Sequence, residues 1–146
     1  LVCYASLSVS VHQRQKVERL IGRAGAIVFV SDETQLDAAT AVSGSGPAYL
    51  FFFIECLTQA AIAAGLPENL AGQLATQTCY GASLLALRSD VDPAALRRQV
   101  TSPNGTTEAA IAVFQNNRGF EAIVRDAVEA AKARSIALGM QEGASP

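Results

Sequence analysis

Residues 47–64 constrain this chain more than any other stretch. Phe51, Phe52, Phe53, Ile54, Leu57 and Ile62 spread over nearly every face of one helix, with only Glu55, Thr58 and Gln59 as larger polar interruptions. A helix that is apolar all round belongs either in a membrane or at the centre of a packed assembly. Glu55 near its middle, an alanine-rich second half and the lack of a lysine or arginine cluster at either end argue against the membrane. The expectation is therefore burial in a helical core or a dimer, with no membrane contact. Composition points the same way: half of the 146 residues are hydrophobic and 16% are charged, a lean surface for a small monomer.

Charge and cysteine content narrow the field. A formal charge of −2, with the arginines dispersed, leaves nothing to grip a phosphate backbone, so nucleic acid is not an expected partner. Cys3, Cys56 and Cys79 are odd in number, scattered and without a CxxC spacing, and His12 is the single histidine. No metal site is expected from that set, which reads as reduced, mostly buried thiols of a cytoplasmic protein. Residues 1–11 lack both a methionine and a charged leader and read as a cut end.

Periodicity sets the organisation. Over residues 13–23, Val17, Leu20 and Ile21 fall at i, i+3 and i+4 among charges, an amphipathic surface helix that Gly22 and Gly25 help end. Residues 26–30 form a β-branched and aromatic run, read as one isolated strand, with Ser31 and Asp32 as helix caps. Everything beyond reads as helix. Gly65 closes the apolar helix, Pro67 opens the next to about residue 87, and Asp92 with Pro93 caps a short one. A loop at 101–107, a helix to about residue 115, a turn at 116–119 and a last helix over 120–138, ended by Gly139, complete the chain.

Two segments carry chemistry. Ser43-Gly44-Ser45-Gly46-Pro47 reads as a turn between helices, with Ser45 placed to cap the helix that Pro47 helps start and with small residues that let a ligand approach. A plain cap and a ligand contact both fit. Thr101-Ser102-Pro103-Asn104-Gly105-Thr106-Thr107 sets hydroxyls and backbone N–H groups at a helix N-terminus, where a small carboxylate fits; Ser102 or Thr106 acting only as a cap fits too. Glu55 is either a perturbed acid or a group satisfied by a hydroxyl or a partner chain. No Ser/His/Asp set and no glycine-rich dinucleotide fingerprint accompanies these segments.

Around both motifs, in residues 40–49 and 100–107, the chain closely resembles the pyrroline-5-carboxylate reductases. Ala63-Ala64-Gly65-Leu66-Pro67 and Gly119-Phe120 match as well, so the resemblance covers residues 32–139, and Tyr4 with Gln13-Arg14 looks like the end of the family's nucleotide-binding domain. It implies a mainly α fold: a helical bundle interlocked with a second copy and preceded by a remnant helix and strand of a Rossmann domain. Residues 1–31 would be that remnant, 32–140 the dimerisation and substrate-binding domain, and 141–146 a tail. The family reduces a small-molecule substrate, 1-pyrroline-5-carboxylate, to L-proline. NADPH or NADH serves the full-length enzyme, and neither is expected on this fragment, which should be inactive alone.

Carried over residue by residue, the resemblance makes Ser102, Gly105, Thr106 and Thr107 the substrate-binding residues, with Thr107 or water as proton donor. Thr40, Ser43 and Ser45 would line the pocket near the nicotinamide. The implied partner is a second copy, as a homodimer or a larger homo-oligomer. Where the family usually has two glycines this chain has Asn104-Gly105, and asparagine tolerates the left-handed backbone such a turn needs. A helical dimerisation module with no catalytic role and the helical domain of a related hydroxy or keto acid dehydrogenase are the competing readings. The latter needs a catalytic lysine, and neither Lys16 nor Lys132 sits in a matching motif.

Overall fold

The computed structural model describes residues 1–116 and 119–142, so Asn117 and Arg118 of the expected turn and residues 143–146 of the expected tail lie outside the described residues. The elements run β1 (Val2–Tyr4), α1 (Val11–Ile21), β2 (Val28–Val30), α2 (Gln35–Ala39), a π-helical turn (Thr40–Gly44), α3 (Gly46–Ala63), α4 (Glu68–Arg88), α5 (Pro93–Gln99), α6 (Thr106–Gln115) and α7 (Gly119–Glu142). The protein is mainly α. By internal contacts it divides into one unit made of Leu1–Pro47 and the chain from Val124 onward, and a second made of Ala48–Ile123.

In the first unit the expected lone strand has a partner. Val2, Cys3 and Tyr4 pair in parallel with Val28, Phe29 and Val30, and α1 is the crossover that parallel neighbours require. Three residues are too few to show alternation, which is why the first strand is silent in the sequence. Ser10 caps α1 in a reciprocal box with Gln13, and Arg14 lies 3.8 Å from the centre of the Phe29 ring, tying helix to strand. His12 is exposed on α1.

Asp32 does not cap α2 directly. Its carboxylate accepts from the Thr34 hydroxyl (2.7 Å) and backbone N–H (2.8 Å), a local turn that ends one residue before the helix. Those two bonds, the hydroxyl first, hold its pKa below the ordinary aspartate value. Farther along, the Ser135 hydroxyl of α7 donates to Asp37 of α2 at 2.7 Å, a bond spanning 98 positions of sequence.

In the second unit α3 ends as its sequence demands. The Leu66 N–H reaches the Ala61 carbonyl and the Gly65 N–H the Ile62 carbonyl, while Gly65 takes a φ of +104° that a side chain would resist. Pro67 precedes α4, and the Asp92 carboxylate accepts from the Ala95 N–H at 3.0 Å to start α5. One sequence boundary fails: α7 continues through Gly139 to Glu142, because a lone glycine in a long helix costs only about 1 kcal/mol and need not end it.

Burial is sparse. Ala41, Ala71, Ala75 and Cys79 are the buried apolar residues among those described, and α3 buries none of its own. Phe51 and Phe52 stand 68% and 65% exposed, and Leu50, Leu70, Leu74, Tyr80 and Leu85 are exposed as well. Phe53, Phe114 and Phe120 form a small aromatic cluster, with centroids 6.2 Å apart for Phe53 and Phe120 and 5.6 Å for Phe114 and Phe120. The thiols depart from expectation: Cys79 is buried, Cys3 half-buried and Cys56 exposed. Cys56 lies on α3, none of whose residues this single chain buries.

The helical run Gln35–Ala63 is long and apolar enough to cross a membrane by length and composition. If a second copy covers it instead, a carboxylate at Phe51 should block the contact, since burying an unpaired charge costs several kcal/mol. Sedimentation of the unmodified chain should give a dimer or larger species at micromolar concentration, and Phe51→Glu should shift it toward monomer. A clean monomer for the unmodified chain would sink this account of the exposed face.

Candidate functional site

The first candidate segment is not a turn. The Ser45 N–H bonds to the Thr40 carbonyl five residues back at 2.9 Å, so residues 40–44 form a π-helical turn that runs from α2 almost directly into α3. Ser45 itself is helical in backbone (φ −86°, ψ −23°) and ends this turn rather than capping α3 as expected. The reason is Pro47, which has no N–H and whose ring would press on the carbonyl four residues earlier, that of Ser43. A turn widened by one residue relieves that pressure, and Gly44 and Gly46 make the widening easy. The Ser43 hydroxyl donates to the Ala39 carbonyl at 3.0 Å, which leaves its oxygen to act as an acceptor. Thr40 and Ser43 are exposed and Ser45 is half-buried.

The second segment is a loop, as expected. Asn104 sits at φ 58°, the one non-glycine residue of positive φ among those described, in the left-handed conformation its type tolerates. Its N–H is held by the Glu108 carboxylate at 2.7 Å, and the Gly105 N–H returns to the Ser102 carbonyl at 3.1 Å. A Cβ at Gly105 would run into the Ser102 hydroxyl oxygen and lie 3.0 Å from the Ser102 carbonyl oxygen, so a side chain there would require the Ser102 hydroxyl to swing away. Thr101 is anchored from below, its hydroxyl donating to the Arg97 carbonyl at 2.7 Å.

Neither Ser102 nor Thr106 caps α6. Gly105 occupies the cap position with no side-chain bond, and Thr106, Thr107 and Glu108 form the first turn. Among the described residues no acceptor is recorded for the Thr106 and Thr107 amides and no partner for the hydroxyls of Ser102, Thr106 and Thr107. Thr107 is half-buried, whereas Ser102 and Thr106 are exposed. An uncapped turn of this kind presents donors and a partial positive charge to a small anion.

Sequence reasoning passed over two neighbours. A depression of about 230 Å³ beside the loop is lined by Arg97 and Arg98 at the end of α5, by Thr101, and by Glu108 and Ile111 of α6. Two arginines in the last turn of a short helix complement its dipole, and nothing in their spacing marks them further. Among the described residues no group of three or more His, Cys, Asp or Glu could hold a metal ion.

A family model described as pyrroline-5-carboxylate reductase dimerisation matches residues 33–138. The chain belongs to that family. Both candidate segments fall inside the matched range, and membership implies that the chain associates with copies of itself. It is similar to the pyrroline-5-carboxylate reductase of Pseudomonas aeruginosa, at 50% identity over 140 residues, and to that of Synechocystis, at 41% over 135. These matches take in 96% and 92% of this chain but 51% and 50% of the relatives, so it spans about half the length of the curated relatives it matches. Among solved structures, a pyrroline-5-carboxylate reductase from Coxiella burnetii superposes with a TM-score of 0.89 at 36% identity, over 94% of this chain and 50% of that one. The Plasmodium falciparum pyrroline carboxylate reductase with NADP bound gives 0.82 at 32% identity, over 94% and 53%.

The two motifs of this pyrroline-5-carboxylate reductase dimerisation chain lie in different units, Thr40, Ser43 and Ser45 in one and Ser102, Gly105, Thr106 and Thr107 in the other. The second is assembled within a few residues, and its shape depends on Asn104. Asn104→Ala should lower stability by about 1 kcal/mol, because alanine lacks asparagine's local accommodation of the left-handed backbone. Asn104→Gly should hold or gain. Denaturant unfolding of the two variants checks this, and equal stability for alanine and asparagine would remove the left-handed residue as the loop's constraint.

Proposed function

We propose that this chain is the helical part of a pyrroline-5-carboxylate reductase, which reduces 1-pyrroline-5-carboxylate to L-proline with NADPH or NADH. The chain would supply the dimer interface and the loop that holds the substrate carboxylate. Residues 1–31 would complete a nucleotide-binding domain, a reading supported by the parallel β1–α1–β2 unit; residues 32–140 would form the dimerisation and substrate domain, and 141–146 its tail. The single observation that carries the site is the uncapped first turn of α6, with its unpartnered amides and hydroxyls.

Each residue of that turn has a task in the proposal. The Thr106 and Thr107 amides would donate to the substrate carboxylate, joined by the Ser102 and Thr107 hydroxyls, while Gly105 keeps the approach open. Thr40, Ser43 and Ser45 fit the nicotinamide end of a cofactor in chemistry. Ser43 in particular, already donating to Ala39, can accept from a carboxamide N–H. Nothing in this chain resembles a turn for the cofactor's phosphates. When bound, the reduced nicotinamide supplies the hydride taken by the imine carbon. The proton for the ring nitrogen comes from the Thr107 hydroxyl or from water relayed by it.

The self-associated state we propose is a homodimer, or a larger homo-oligomer built from dimers, in the cytoplasm and without membrane or nucleic acid. Asp37, half-buried and bonded to Ser135, lies inside the run that passes the membrane length test, and Glu55 lies farther along it. Two carboxylates in one apolar run fit a protein interface better than lipid.

Calorimetric titration of the isolated chain with NADPH should be flat, and low-micromolar binding would show that the phosphate site has been misplaced. In the full-length enzyme, Thr107→Ala should raise KM for pyrroline-5-carboxylate about tenfold to a hundredfold, the loss of one charge-assisted hydrogen bond, while KM for NADPH stays nearly constant. Thr107→Ser should recover most of it. If the hydroxyl also delivers the proton, kcat falls in the alanine variant as well. Unchanged constants in a folded dimer would reduce Thr107 to a helix residue and favour a dimerisation module without a catalytic role.

A further inference from the structure

The π-helical turn has a cause in one residue and a consequence for three. In an α-helix successive residues advance by about 100°, so residues 40 and 45 would lie about 140° apart around the axis. Here the Ser45 amide closes onto the Thr40 carbonyl, which makes one full turn of five residues and brings Ser45 over Thr40 on the same side. The Ser43 hydroxyl is fixed in the same turn by its bond to the Ala39 carbonyl. The turn is held from both ends. Upstream, Asp37 is bonded to Ser135 of α7; downstream, Pro47 withholds the N–H that a continuous α register would direct at the Ser43 carbonyl.

We propose that Pro47 is a positioning residue: by blocking the α register it maintains the π turn, and the π turn sets Thr40, Ser43 and Ser45 in the arrangement that meets the nicotinamide end of the cofactor. Pro47 touches neither cofactor nor substrate in this account and acts only through the helix. The inference rests on the proposed cofactor role of those three residues. A wide turn of this kind costs helix stability and persists where the surrounding structure requires it, which is how single π turns come to mark functional segments.

The test uses the full-length dimeric enzyme with Pro47→Ala and Pro47→Ser, both of which restore an N–H at residue 47. Crystal structures of the variants should show the Ser45 amide moved from the Thr40 to the Ala41 carbonyl. In both, KM for NADPH should rise about tenfold, the equivalent of one hydrogen bond, with KM for pyrroline-5-carboxylate within about twofold of its original value. Alanine and serine differ in helix propensity but share the N–H, so equal shifts in the two assign the effect to register. A Ser45 amide still bonded to Thr40 in both variants overturns the inference and leaves the cofactor reading standing. A moved bond with unchanged KM for NADPH overturns it and takes with it the placement of Thr40, Ser43 and Ser45 beside the cofactor. Loss of the dimer in both variants, read by sedimentation, overturns it as well, because Pro47 would then serve folding.

Discussion

α3 cannot satisfy its own surface, and the rest of the structure answers to that. Eighteen residues with aromatic and aliphatic side chains on every side need neighbours on every side, yet none of them is buried within the chain. A fully exposed leucine or phenylalanine forgoes about 1.5 to 3 kcal/mol relative to burial, and Leu50, Phe51 and Phe52, at 42%, 68% and 65% exposed, each forgo a large part of that. Self-association is the role carried by the family to which the chain belongs, and in the proposed homodimer a second copy would supply the missing neighbours. Ala71, Ala75 and Cys79 repeat every four positions and are buried, a stripe without bulk on which helices can approach closely.

Much of the helical architecture was legible because its signals are local. The Gly65 cap, the Asp92–Pro93 start of α5 and the amphipathic face of α1 depend on residues within one or two turns of each other. Asn104 is legible for the same reason, since its left-handed backbone follows from its own side chain and from Gly105 beside it. What escaped depended on distance or on competition. β1 is three residues whose pairing is decided by β2, more than twenty positions away, and the Asp37–Ser135 bond joins opposite ends of the chain. At Gly139 two influences competed, and the long helix outweighed its one weak residue.

The serine–glycine segment was misread for a more instructive reason. Glycine, serine and proline in close succession are the composition of a turn, and they are equally the composition of a helix forced to widen. The two are told apart by where the Ser45 N–H goes, and residue types do not fix that. Position does not change the chemistry expected of these hydroxyls, but it changes which of their atoms are available. A Ser43 in a loop offers both its proton and its lone pairs; a Ser43 bonded to the Ala39 carbonyl offers lone pairs alone.

In the loop over residues 101–107 one feature opposes the proposed ligand. Glu108 places a negative charge in the first turn of α6, which complements the helix dipole and weakens the attraction of that terminus for a second anion. The dipole contributes about 0.3 to 1 kcal/mol at an exposed helix end, and a carboxylate so near offsets much of it. Direct bonds must then do the holding. The two amides and the hydroxyls beside them, each worth about 1.5 to 3 kcal/mol when they meet a charged acceptor, exceed the dipole several-fold. The Glu108 side chain is meanwhile turned back onto the Asn104 amide at 2.7 Å, a bond that ties the loop to the first turn of α6 beside the unpartnered Thr106 and Thr107 amides. On this view Glu108 reduces the general pull on anions and improves the fit for one carboxylate, an exchange of affinity for selectivity that suits the single small acid proposed for this loop.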